Sequence, residues 1–299
     1  MRISVGLPCA TLDAPQTFLD SGAISELARA VEAAGFDAVF VTDHPCPPES
    51  WVRSGGHHAT DPLITLAFAA AATSRLRVQT NLYVPAYRPP LISAHAVATL
   101  DVLSAGRVTL GVGAGYLEPE FDILGADFDR RNDALDEALA VMIRAWSGDL
   151  FDGHRILPRP VQRPHPPIWV GGNSRRAIRR AVELADGWLP MPSPARSAGL
   201  LRTPGLETVM DLAARLVFAR EYADQIGRSA PLEVGFTPSG LSMFAGARPE
   251  PAAVVDSLRE LAAIGVGYAT VTLPADSRAD FLRAVDVFGA EVLPAVAQL

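Results

Sequence analysis

Phe36-Asp37-Ala38-Val39-Phe40-Val41 runs almost without a polar interruption into Thr42-Asp43-His44. It follows an alanine-rich stretch, Gly22 to Ala34, that reads as a helix stopped at Gly35, where positive φ is favoured. A short run this apolar is expected of a parallel strand covered on both faces. Working outward, the same alternation recurs. Ile3 to Leu7 precedes it as a first strand. A helix near Pro62 to Ser74 leads to a strand at Leu76 to Thr80, and a helix at Leu91 to Ser104 leads to Val108 to Val112.

The second half continues the pattern. Asn132 to Ser147 carries Leu135, Leu139, Met142, Ile143 and Trp146 at helical spacing. Strands are expected at Ile168 to Val170, Gly187 to Pro190, Leu232 to Phe236 and Tyr268 to Leu273. Helices are expected at Ser174 to Ala185, Pro204 to Gly227, Pro251 to Ile264 and Arg278 to Phe288. Eight strand-then-helix units predict an α/β fold, a closed (β/α)8 TIM barrel, as one domain over residues 1–299. A doubly wound open sheet is the alternative, but Leu7-Pro8-Cys9-Ala10 stands where its glycine fingerprint belongs. Three loops are long: Pro45 to Asp61 after strand two, Ala114 to Arg131 after strand four, and the Pro-rich Asp149 to Pro167 before strand five. Asp152-Gly153 in the third is a hairpin turn signal.

The chain has 299 residues and a formal net charge of −7, and its 26 positive charges are all arginine. Without lysine, Schiff-base chemistry and a Walker-type phosphate loop are excluded. The acidic balance argues against a nucleic-acid partner. No stretch approaches the roughly 20 apolar residues of a membrane span, and Met1 to Pro8 lacks a secretory h-region. Cys9 and Cys46 read as free thiols, so a cytoplasmic location is expected. Arginine-only basicity with heavy alanine use fits a GC-rich bacterial host.

In a barrel, chemistry gathers where strands end at their carboxyl face. Asp43-His44 puts a carboxylate beside an imidazole at that mouth, as a proton-transfer pair or as a loop cap before Pro45. Asn81 follows strand three as an amide hydrogen-bonding group. Gly111-Val112-Gly113-Ala114-Gly115 ends strand four, where missing side chains would admit a flat ligand. Gly171-Gly172-Asn173-Ser174-Arg175-Arg176 opens a helix and offers free N–H groups to a phosphate, or an ordinary N-cap at Asn173 or Ser174. His57-His58 near Asp61 reads as a solvated loop pair rather than a metal site, and His95 as a packed histidine. Trp146 and Trp169 read as core, Trp188 as core or pocket wall, and Trp51 as a ligand-facing aromatic.

Together these stretches resemble the luciferase-like monooxygenase superfamily of flavin- and deazaflavin-using barrels. The likeness is carried by residues 33–44, from Ala33-Ala34-Gly35-Phe36 to Thr42-Asp43-His44; by 98–108, including Ser104-Ala105-Gly106-Arg107-Val108; by Leu110-Gly111-Val112-Gly113-Ala114-Gly115-Tyr116; and by 163–172, ending Ile168-Trp169-Val170-Gly171-Gly172. Asp43-His44 resembles the branch using coenzyme F-420, an 8-hydroxy-5-deazaflavin. The resemblance implies an oxidoreductase that moves a hydride between C5 of that coenzyme and a small organic substrate, acting as a homodimer. An FMN-dependent two-component monooxygenase is the alternative, and a non-catalytic flavin or deazaflavin binder a second.

By the same resemblance Asp43 contacts the coenzyme ring and His44 handles the proton. Asn81-Leu82 sits where the family has a non-proline cis peptide behind the ring. Gly113, Ala114 and Gly115 border the ring, and Gly171, Gly172, Asn173 and Ser174 form its phosphate turn. No metal is expected. The sequence departs from the family's sugar-phosphate dehydrogenases: Ala114 replaces their acid and their phosphate-binding lysine is missing, so a sugar phosphate is not expected. Glu118 and Glu120, in the following loop, are the carboxylates able to supply an acid.

Overall fold

Eight parallel strands close into a barrel in sequence order, with β1 pairing both β2 and β8 in the computed structural model, which describes residues 1–10, 15–242 and 249–299. The strands are β1 (Arg2–Gly6), β2 (Ala38–Val41), β3 (Arg77–Tyr83), β4 (Val108–Val112), β5 (Ile168–Gly171), β6 (Gly187–Leu189), β7 (Glu233–Phe236) and β8 (Tyr268–Val271). Each is followed by a main helix: α1 (Ser21–Ala34), α2 (Pro62–Ala72), α3 (Pro90–Leu103), α4 (Arg131–Ser147), α5 (Arg175–Leu184), α6 (Val209–Gln225), α7 (Pro251–Ala263) and α8 (Arg278–Val287). The expected (β/α)8 barrel is therefore the fold. No helix among the described residues is long and apolar enough to cross a membrane.

Strand periodicity divides the interior in two. Val39 and Val41, Val108, Leu110 and Val112, Ile168 and Val170, and Ala269 and Val271 belong to the large core between barrel and helices. The alternate residues fill the lumen. There Trp169, Leu189 and Tyr268 form a separate small cluster against which Leu82 packs. The lumen is polar elsewhere: Tyr268 donates to Gln79 Oε1 at 2.6 Å, and the Thr237 and Thr270 hydroxyls meet at 2.8 Å.

Local chemistry sets the element ends. Gly35 closes α1 at φ +95°, accepting no Cβ penalty in the left-handed region. The expected helix start at Pro204 moves to Val209, because Thr208 and Asp211 form a reciprocal capping box. The expected hairpin turn is present: Phe151 bridges His154, with Asp152 and Gly153 both at positive φ. The long loops also carry short helices, Glu49–Arg53 and Glu118–Leu124, that sequence periodicity did not disclose.

β3 runs past its expected end at Thr80 to Tyr83. Its register with β4 shifts between Thr80 and Tyr83, and the Asn81–Leu82 peptide inside that shift is cis. Leu82 reaches across the neighbouring strand ends. A Cβ built on Gly171 would stand 2.0 Å from Leu82 Cδ1, and one on Gly113 would stand 3.0 Å away. At Gly111 the obstacle is main chain, with Thr80 O only 2.1 Å from the added carbon. The strand-end glycines are thus required by Leu82 and the Thr80 carbonyl. Beside Gly111 and Gly171 the space is taken by the Thr80 carbonyl and Leu82.

Candidate active site at the barrel mouth

A cavity enclosing about 1020 Å³ of empty space, part of it open to solvent, lies at the carboxyl face. Apolar groups dominate its wall, among them Phe40, Leu82, Val84, Leu189 and Met191. Asp43, His44, Asn81, Gly113 and Gly115 line it, whereas Ala114 and residues 171–174 do not. Of the sequence-predicted residues, the structure therefore brings together the ends of β2, β3 and β4 around one space. The turn after β5 stands apart from that space.

Asp43 is 2% exposed, and its carboxylate is fully engaged. Oδ2 accepts from the Val84 N–H at 2.9 Å and from Arg88 Nη1 at 2.7 Å, while Oδ1 accepts from Nη2 at 2.8 Å. Such a bidentate pair is strong and directional. Burial opposes the Arg88 charge, but Asp43 overrides it and holds the guanidinium above its ordinary value. Arg88 also lies over the Tyr83 ring, 4.6 Å from its centroid. Asp43 thus ties the segment after β3 to the end of β2.

His44 is buried, with both ring nitrogens in hydrogen bonds. Nδ1 is 2.9 Å from Glu120 Oε2, and Nε2 is 3.1 Å from the Tyr116 hydroxyl. Glu120 is 0% exposed and sits on the short helix Glu118–Leu124. Phe121 anchors that helix, with its ring 4.8 Å from Tyr87 and 5.3 Å from Phe128. Glu120 also accepts from the Cys46 N–H at 2.9 Å and the Tyr87 hydroxyl at 3.0 Å. Burial alone would raise its carboxyl; the bonds from His44, Cys46 and Tyr87 win and hold it below the ordinary range. An ionised Glu120 only accepts, so it fixes the proton on Nδ1 and leaves Nε2 of the neutral ring to accept from Tyr116. Burial, reinforced by Glu120, pushes both the Tyr116 and the Tyr87 phenols up.

Aromatic rings wall this dyad. Trp51 stands 5.2 Å from the His44 ring, and His57 meets it edge-on at 4.7 Å. His57 is therefore part of the site wall, not a solvated loop residue. Burial, with His44 nearby, holds its imidazole down to about 4. His95, expected to be packed, is exposed on α3. Trp146, Trp169 and Trp188 are buried, the last donating to Gly172 O at 2.9 Å. Cys9 is buried, and desolvation pushes its thiol up to about 12, while Cys46 is exposed.

The turn after β5 is largely committed to structure. Asn173, 1% exposed, donates from Nδ2 to Met191 O at 2.8 Å and Pro204 O at 3.0 Å, and its Oδ1 accepts from the Met191 N–H at 2.9 Å. It staples the loop after β6. Ser174 caps α5 by accepting from the Ala177 N–H at 3.1 Å, and Gly172 takes φ +106°.

Glu120 and Tyr116 are the residues that spacing understates. Glu120 lies 76 positions from His44, and only its place in the loop after strand four pointed to it. Tyr116 stood out only as the end of the Gly111–Tyr116 match.

Fold and mouth together define a (β/α)8 barrel with an acid–base pair at its carboxyl face. Residues 3–202 match the model of the luciferase-like monooxygenase family, and the chain belongs to that family. The uncharacterized protein Rv0953c of Mycobacterium tuberculosis is 33% identical over 189 residues, 55% of this chain and 66% of that protein. An F420-dependent glucose-6-phosphate dehydrogenase of Beutenbergia cavernae is 37% identical over 168 residues, 53% of this chain and 49% of that enzyme. The chain thus spans from about half to just under two thirds of these relatives' lengths. In structure it is similar in fold to the monooxygenase RslO1 from Streptomyces bottropensis, with TM-score 0.77 and 21% identity over 98% of this chain and 99% of that one.

Proposed function

We propose that this chain is an oxidoreductase, one barrel domain over residues 1–299, that exchanges a hydride between C5 of coenzyme F-420 and a small uncharged organic substrate. The observation that carries the reading is the His44 ring, held in one tautomer by Glu120 at the rim of a largely apolar cavity. The family relative named for F420 dependence supports the choice of coenzyme. When bound, the deazaflavin supplies the hydride acceptor or donor; the protein supplies orientation and proton handling.

The cavity suits a largely apolar group in its lining. Asn81, Leu82, Gly113 and Gly115 would hold one side of it, with Ala114 behind. Gly171, Gly172, Asn173 and Ser174 would form the phosphate turn through the main-chain N–H groups at the start of α5 other than that of Asn173, which donates to Thr203 Oγ1 at 3.0 Å, since the Asn173 and Ser174 side chains are also spoken for. Asp43 is a positioning residue whose carboxylate holds Val84 and Arg88. No arginine is among the described residues lining the cavity, so a phosphorylated sugar finds no cation there. By family resemblance the enzyme works as a cytoplasmic homodimer.

Titration of the protein with F-420 and with FMN, followed by ring fluorescence and absorbance, tests the coenzyme. Micromolar deazaflavin binding is expected. Tight FMN binding without deazaflavin binding would replace the reading with a reduced-FMN monooxygenase. His44→Ala separates enzyme from binder: turnover collapses while coenzyme affinity holds.

A further inference from the structure

The site has a proton path that does not end at its histidine. Nδ1 of His44 is spent on Glu120, at 2.9 Å, and Nε2 on the Tyr116 hydroxyl, at 3.1 Å. Trp51 and His57 also pack against the ring, at 5.2 and 4.7 Å between centroids. With both nitrogens taken, an incoming substrate oxygen meets no bare imidazole nitrogen. Tyr116 lines the cavity beside His44, and its Oη is the polar atom bonded to Nε2. Gly115, at φ +79°, turns the chain so that Tyr116 follows at the rim, and a Cβ there would stand 2.6 Å from the Phe121 ring.

We propose that Tyr116 is a catalytic residue that exchanges the proton with the substrate oxygen, His44 acting behind it as the relay. The proposal rests on the hydride-transfer reading above. For oxidation of a carbinol, the C–H bond breaks and its electron pair leaves as hydride to the deazaflavin oxidant. The substrate O–H bond breaks and that proton passes to Tyr116 Oη. The phenol's own proton passes to His44 Nε2, and the carbonyl forms. The imidazolium so produced faces the Glu120 carboxylate. Reduction runs the same transfers backwards. A phenol suits this shuttle because it gives one proton as it takes another and never holds the charge; burial keeps Tyr116 neutral well above its ordinary range.

Tyr116→Phe removes only the oxygen and keeps the ring against His44, at 5.4 Å between centroids. The expected result is a kcat lower by about 10²- to 10⁴-fold, with the deazaflavin Kd unchanged. A readout independent of turnover is the nitrogen-15 spectrum of His44 in the coenzyme-free protein. Wild type should show a protonated Nδ1 and a hydrogen-bonded, unprotonated Nε2; the variant should lose the Nε2 hydrogen-bond signature. A kcat within about threefold of wild type, or a wild-type proton on Nε2, overturns the relay and leaves the hydride-transfer reading standing. A wild type that binds no deazaflavin overturns both. The wild-type spectrum decides the tautomer even where Tyr116→Phe fails to fold.

Discussion

Replacing Arg88 with Met tests whether the Asp43–Arg88 pair holds the mouth together. The guanidinium makes two charge-assisted bonds to Asp43, at 2.7 and 2.8 Å, over a carboxylate only 2% exposed. Methionine keeps a stem against Tyr83 but leaves Asp43 with the Val84 N–H alone. Breaking one partner of a buried pair costs about 3–5 kcal/mol, chiefly because the other charge stays buried. The Arg88 side chain is 21% exposed, so water partly re-solvates Asp43, and the expected loss lies near the lower end, about 3 kcal/mol. Urea unfolding at pH 7, followed by tryptophan fluorescence and circular dichroism, measures it as a lowered midpoint at unchanged slope. The double variant Asp43→Leu/Arg88→Met should be less damaged than Arg88→Met, since no charge is then stranded. A loss below about 1 kcal/mol for Arg88→Met, or a double variant as poor as the summed singles, would refute the reasoning.

Three further outcomes follow from the same geometry. His57 is held at about 4, below its ordinary 6.5, so as pH falls the unfolded chain takes up the proton first. Stability should decline from pH 6.5 towards 4 by about 3 kcal/mol, at about 1.4 kcal/mol per pH unit, and His57→Gln should flatten that slope in denaturant midpoints. Glu120 is shifted in the same sense for linkage but at lower pH: its carboxyl is held below the ordinary 4.5, so its contribution is in place above 4.5 and disappears as pH falls through the lower folded value. The gap in unfolding midpoint between wild type and Glu120→Gln should therefore narrow on acidification below 4.5, and a constant gap would contradict the assignment. Gly171→Ala forces a methyl to within 2.0 Å of Leu82 Cδ1 and should cost about 1–3 kcal/mol by overpacking. Adding Leu82→Ala should relieve that clash, and thermal unfolding of the pair checks it.

The barrel was legible because each strand announces itself locally. Residues 36–41 are apolar but for Asp37, and Gly35 stops the preceding helix by a local rule, whereas the Thr208–Asp211 capping box, equally local, gave way in the sequence reading to a start at Pro204. The site was legible only in part. Asp43 and His44 stand at a strand end, and the strand number placed them at the mouth. Their partners were not readable, because loop-to-loop contacts follow no period: Glu120 reaches His44 from a seven-residue helix after another strand. His57 looked solvated because polar loop residues usually are, yet the fold packs it edge-on to His44. The glycines ending β4 were read as room for a flat ligand and those after β5 as a phosphate turn; Gly113 and Gly115 line the cavity, while Leu82 of β3 packs over both Gly113 and Gly171.

That leucine has a practical consequence for anyone wishing to reshape the pocket. Leu82, Gly113 and Gly171 share a single volume, with Gly111 shut beneath them by the Thr80 carbonyl. Mutant libraries that randomise one of these positions at a time will return mostly poorly folded clones. Libraries that pair a smaller residue at 82 with a larger one at 113 or 171 sample floors of different shape at constant fill.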